Sequence, residues 1–316
     1  MSMNAKWKGA VCGIIAAVSY GTNPLGALFL YREGLNAHSV LFYRFSLAAV
    51  FLALLMVAQK KPFLPKRREL PVLGLLGLLF AVSSLSLFSS FHYMDAGVAS
   101  TLLFIYPVMV AIIMAIFYKE KVSAMTWFSI LMALGGIALL YRGEDGAVLS
   151  GTGVWLVMLS SLSYAVYIVV VNRSPLRMSS VKLTFYVLLF CVLAIGIHSF
   201  GSTSTEIQWL STPAMWMYAL MLALIPTVIS LVFMVIAVHA IGSTPTAIMG
   251  ALEPLTAVCI GIGVFGEACT PRLLFGMCLI LAAVILIIAG KSFSRRKLTR
   301  AIGKMGHTIL KHWRWK

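Results

Sequence analysis

The chain has 316 residues, 61% of them hydrophobic and only 11% charged, with a mean hydropathy of +0.98. Soluble globular chains carry about 25% charged residues, so this composition excludes a soluble enzyme or binding module and leaves a polytopic membrane protein. Lys and Arg number 25 against 9 Asp and Glu, a formal net charge of +16, and the placement of those charges decides what they mean.

Ten apolar runs follow one another, most near 20 residues long, which predicts transmembrane helices. The roughly ten-residue alternation of an outer-membrane barrel is absent. The first run, 9–31, has no small-residue cleavage site followed by soluble sequence and reads as a retained span. It places Tyr20 and Asn23 on one helical face and Pro24 just beyond them. The second, 37–59, carries Arg44 at ~10 Å depth, given 1.5 Å of rise per residue. A charge there needs a partner, a carbonyl cluster or a snorkelling route, and a structural role is expected for it. The third, 70–93, has a Ser83, Ser86, Ser90 stripe suited to close helix packing, with His92 interfacial at its end.

The fourth run, 97–118, contains Tyr106 and Pro107, and the fifth covers 123–141. The sixth, 151–172, lines up Ser160, Tyr164 and Tyr167 at i, i+4 and i+7; the seventh covers 180–199. The eighth, 213–239, is interrupted by Pro226 and ends on His239, which reads as interfacial. The ninth, 243–265, carries a stripe of Thr246, Gly250, Glu253 and Thr256, with Pro254 beside the carboxylate; the tenth covers 271–290. Connections are short and no soluble domain is inserted, so the bundle itself must perform the function.

Ten spans put both termini on one side. That side holds 21 of the 25 Lys and Arg, the opposite side holds Arg32, Arg142 and Arg272, and Arg44 lies within a span. Both termini are therefore expected in the cytoplasm, in a plasma (inner) membrane. The net charge is topology signal plus a basic tail, and no nucleic-acid partner is implied. In that tail, 291–316, Leu298, Ile302, Met305, Ile309 and Trp313 form one helical face among basic residues. Residues 293–316 thus suit an amphipathic helix on anionic lipid headgroups; a disordered basic end is the plainer alternative.

The five cysteines, Cys12, Cys191, Cys259, Cys269 and Cys278, form no CxxC pair and read as buried small hydrophobes, with no disulfide and no metal site. No cofactor is expected. There is no ATP-binding loop, and the few acidic residues form no cluster of the kind an integral membrane enzyme needs, so an enzyme is not expected.

The chain repeats itself. "YPVMVAIIMAIFYKE" at 106–120 matches "EPLTAVCIGIGVFGE" at 253–267, each a proline followed 13 residues later by a glutamate. The shift of 147 pairs Pro107 with Pro254 and Glu120 with Glu267; a shift of 144 pairs Gly9 with Gly153 and Tyr20 with Tyr164. Two units result, 9–141 and 151–290. Five spans per unit is odd, so the second sits upside down, the inverted-repeat plan of secondary transporters. The fold expected is therefore all-α, integral to the membrane, with ten helices in two inverted five-helix repeats.

These motifs, with "AVSYGTNPL" in span 1, "YRFSLAAVFLALL" in span 2 and "LEPLTAVCIGIGVFGE" in span 9, resemble the EamA type of the drug/metabolite transporter superfamily over residues 9–290. The resemblance implies that spans 1, 3, 4, 6, 8 and 9 surround a central cavity. It implies transport of a small metabolite, such as an amino acid or related compound, with export the expected direction. A passive pore would share the repeat plan.

Within that frame Tyr20, Asn23, Tyr106, Tyr164, Tyr167 and Glu253 are the candidate substrate-binding residues. Proline frees the carbonyl four residues earlier, so Pro107 frees that of Leu103 and Pro254 that of Gly250. The matched breaks at Pro107, Pro254 and Gly250 are expected to line the cavity, static kinks being the alternative. Glu253 lies ~15 Å deep, near the middle of a ~30 Å core. It is either a hydrogen-bonded structural residue beside its proline, or it faces the cavity to bind a cationic group or to exchange a coupling proton.

Overall fold

The structure is a computed structural model describing residues 3–60, 62–119, 124–141, 149–174, 176, 178–201, 205–241, 246 and 249–286. The basic tail, Glu120 and Arg142 lie outside the described residues.

Among the described residues, thirteen α-helices build ten crossings. Span 1 is α1 (Met3–Gly21) and α2 (Asn23–Arg32), span 2 is α3 (Ala37–Ala58), and span 3 is α4 (Leu70–Ser90). Span 4 is α5 (Ala96–Leu103) and α6 (Tyr106–Tyr118), span 5 is α7 (Ala124–Tyr141), span 6 is α8 (Gly151–Arg173), and span 7 is α9 (Ser180–Ser199). Span 8 is α10 (Pro213–Ala223) and α11 (Ser230–Ile241), joined by a π-turn at Leu224–Ile229. Span 9 is α12 (Leu252–Ile260) with a π-turn at Gly261–Phe265, and span 10 is α13 (Pro271–Leu286). Among the described residues, seven of these spans are long and apolar enough to cross a bilayer, and the described parts of spans 5, 9 and 10 are shorter apolar helices. We call the face on which span 1 begins the near face and the other the far face.

Local chemistry sets the helix starts. Asn36 takes the Ser39 amide at 2.8 Å to open α3, Thr212 takes that of Met215 at 3.2 Å to open α10, and Ser150 and Ser179 do the same for α8 and α9. Prolines explain most of the interruptions. Pro24, Pro107 and Pro226 each lack an amide for the helical ladder, and each sits at a restart or a π-turn. Lipid offers no hydrogen bonds, so groups freed at such breaks need protein partners. At the span 1 break, the Thr22 amide and hydroxyl both donate to the Ser19 carbonyl, at 3.2 and 2.7 Å.

The helices pack as two copies related by a pseudo-two-fold. The most extensive interfaces are span 1 on span 8 and span 3 on span 6, which exchange when the halves are swapped. Spans 2 and 7 pack on each other, as do spans 4 and 9, and each pair exchanges into itself. The corners after spans 4 and 9 share one geometry. Lys119 has φ +52° and donates its amide to the Met114 carbonyl; Gly266, 147 residues on, has φ +73° and donates to Gly261. Lys119 thus bears the cost of a left-handed residue that glycine avoids.

Small residues such as Ala16, Ala48, Ala99, Ala165 and Ala237 fill the helix contacts, as close approach in a bilayer requires. Large apolar side chains such as Leu54, Ile116, Phe128 and Leu193 point outward to lipid. Exposed Trp155 and Trp209 flank the far face and Trp7 and Trp127 the near face, where amphipathic rings favour the membrane interface. Only Cys191 of the five thiols is buried; Cys259, Cys269 and Cys278 are exposed, because an apolar run in a membrane protein is as often lipid-facing as core. That corrects the uniform expectation of buried cysteines.

Candidate functional site

A cavity of about 220 Å³ lies at the centre of the bundle. It is smaller than the ~300–1,000 Å³ of drug-sized pockets and suits a small metabolite. Tyr20, Asn23, Tyr106, Tyr164, Tyr167 and Glu253 all lie in its wall, and so do Pro24, Pro226 and Pro254. Pro107 and Gly250 are not among the lining residues, contrary to expectation. Pro107 is the second residue of α6, which restarts past the break and leads away from the cavity. The carbonyls that the prolines free are also used. Leu103 O accepts from the Ser161 hydroxyl of span 6 at 3.2 Å, and Gly250 O accepts from the Glu253 amide at 3.0 Å.

One wall is aromatic. Tyr106 meets Tyr164 edge-on at 4.8 Å, Tyr164 stacks on Tyr167 at 5.7 Å, and Phe80 tilts against Tyr167 at 5.6 Å. Ser83, itself in the cavity wall, joins span 3 to Ser160 of span 6. Ser160 Oγ donates to the Ser83 carbonyl at 2.7 Å and lies 3.1 Å from its hydroxyl.

Arg44 belongs to this site as well as to the scaffold. It is 3% exposed and in the cavity wall. Its Nε donates to Thr227 Oγ1 at 3.0 Å, and its guanidinium lies 5.1 Å from the Phe45 ring and 5.5 Å from that of Phe88. Thr227 in turn donates to the Leu222 carbonyl at 2.9 Å, which lies four residues before Pro226 and so has no proline amide to accept from. The guanidinium is therefore anchored through Nε and flanked by two rings. The carboxylate of Glu253 lies in the same wall, on the other half of the repeat. No ion pair joins the two among the described residues. Asn23 Oδ1 is buried with no hydrogen-bond partner, an arrangement that costs about 1–3 kcal/mol unless a donor arrives.

Sequence reasoning missed Phe80, Thr227 and Ser161, which carry no signal in spacing. It also missed the polar cluster on the far face. There Tyr31 stacks on His92 at 4.4 Å, just past the end of α4. His239 is exposed at the opposite, near-face end of span 8. Arg32 lies 5.0 Å from the Phe265 ring. Glu267 accepts the Ala96 and Gly97 amides at 2.7 and 3.0 Å. Burial pushes its carboxyl above the usual range and the two amides oppose that; burial raises Asp95 beside it.

Ten crossings in two inverted halves, closed around a largely apolar, aromatic-walled cavity, define a multi-pass membrane protein. The EamA-like transporter family model matches twice, over residues 7–142 and 151–289, and the chain belongs to that family. An uncharacterized transporter of Archaeoglobus fulgidus is 26% identical over 273 residues, 86% of this chain and 93% of that one. Another, from Synechocystis, is 28% identical over 220 residues, 67% of this chain and 64% of the relative. A third, from Bacillus subtilis, is 28% identical over 138 residues, and the match spans 45% of its length. The last two matches cover less than two thirds of the relatives. A solved crystal structure superposes with a TM-score of 0.65 at 16% identity, covering 91% of this chain and 98% of its own, and so shares the fold.

Proposed function

We propose that the protein is a secondary carrier that exports a small zwitterionic metabolite, of the amino-acid class, by alternating access between its two halves. One observation carries this reading: Arg44 from the first half and Glu253 from the second face a single aromatic-walled cavity without forming an ion pair among the described residues. A carboxylate suits the guanidinium fork, an ammonium suits Glu253 and the tyrosine faces, and an apolar side chain suits the remainder. Tyr20, Asn23, Tyr106, Tyr164 and Tyr167 supply the other contacts, and Glu253 also serves as the proton-exchanging group when the site is empty. The charge bias supports a plasma-membrane orientation with the near face and both termini in the cytoplasm. Residues 293–316 rest on anionic lipid as an amphipathic helix. A thermal-shift screen of purified protein tests the substrate class, since a bound ligand stabilises the native state. Neutral amino acids should raise the melting temperature, and the matching amine and carboxylic acid alone should not. Equal shifts from all three would reject the zwitterion reading.

A further inference from the structure

The start of α5 is capped from the wrong half of the molecule. Its own N-cap residue, Asp95, is exposed and makes no side-chain capping bond. The two leading amides, of Ala96 and Gly97, instead donate to Glu267, some 170 residues away in sequence. The site is built for that carboxylate. The π-turn and left-handed Gly266 turn the chain back, and the Glu267 amide closes on the Gly261 carbonyl at 3.0 Å. Glycines form the slot: a Cβ on Gly97 would sit 2.9 Å from Oε2, and one on Gly261 would overlap the carboxylate.

What the clamp joins are two walls of the cavity, one from each half. α5 contributes Ser100, Leu103 and Phe104 to the wall and is separated from α6 by the break at Phe104 and Ile105. α12 contributes Glu253 and Ala257 and begins after its own break. The two segments pack on each other, so under the carrier reading a path to the far face runs between them. A helix start that loses its cap leaves orphan amides, and Asp95, at the N-cap position, is placed in sequence to take that of Gly97.

The geometry points to a cap-exchange latch: Glu267 caps α5 when the far face is closed, and Asp95 replaces it when that face opens. This rests on the carrier reading and on the orientation above, under which the far face is outside. A local cap by Asp95 would satisfy α5 permanently; a cap supplied by the other half ties helix satisfaction to closure.

The test reads accessibility and needs no substrate, so its failure is distinct from a wrong substrate class. Ser100→Cys is placed in a background with the five native cysteines replaced, and a membrane-impermeant maleimide is applied from outside. Glu267→Ala should speed labelling roughly tenfold, the scale of one charge-assisted hydrogen bond. Asp95→Ala, which removes no capping bond seen in the structure, should slow it. If Glu267→Ala does not assemble, Glu267→Gln keeps the volume with one acceptor and should speed labelling less. Unchanged labelling in the assembled Glu267 variant, or faster labelling in Asp95→Ala, overturns the latch.

Discussion

Two charges in one cavity wall set different demands. Glu253→Gln keeps shape and removes charge. A hydrogen bond to a charged group is worth ~1.5–3 kcal/mol, so transport at low substrate should fall roughly 10- to 100-fold. If Glu253 also exchanges the coupling proton, the dependence of transport on pH between about 5 and 8 should flatten in the same variant, as it does when the titrating group is removed. Initial rates in vesicles at several pH values measure both, and a parental rate and profile would make Glu253 structural. Arg44→Lys keeps the charge but loses the fork and the ring contacts, so KM should rise roughly tenfold while the protein still assembles. Glu253 and the tyrosines were legible in the sequence because they sit on helical stripes and at matched repeat positions. Arg44 was legible only as a deep charge: depth follows from counting residues, but which way its helix face turns follows from packing on Thr227 and Phe88.

At the scale of elements, the broken spans do the positioning. Prolines in the sequence marked where spans 1, 4, 8 and 9 are interrupted. They could not show where each restarted helix leads, which is why Pro107 and Gly250 lie off the cavity while Pro254 lines it. Nor could they show that the Leu103 carbonyl is held by Ser161. Ser161→Ala should leave that carbonyl unpaired in an apolar setting at a cost of about 1–3 kcal/mol. A lowered melting temperature in detergent, with rescue by Ser161→Thr, is the expected result. The tail, outside the described residues, has its own test. A synthetic 293–316 peptide should gain helical circular dichroism on anionic vesicles and little on neutral ones. No gain on either would leave a disordered basic end.

The whole molecule reads as one five-span unit used twice. That plan was legible because a hydrophobic run of membrane length has few alternatives, and because the proline-to-glutamate spacing recurs. The swap symmetry of the contacts, span 1 on span 8 against span 3 on span 6, is its three-dimensional counterpart. Orientation is testable at this scale too: reporter fusions near residue 65 and at 316 should both report the cytoplasm, and an external signal at either would break the ten-span topology. The claim on which the rest stands is that a single cavity is loaded from one face and emptied to the other. Counterflow in proteoliposomes tests it most directly, using a labelled neutral amino acid outside and excess unlabelled compound inside. A carrier should show saturable uptake accelerated by the internal compound, abolished or much reduced in Glu253→Gln. Uptake linear in concentration and indifferent to the internal compound would contradict alternating access and leave a passive pore.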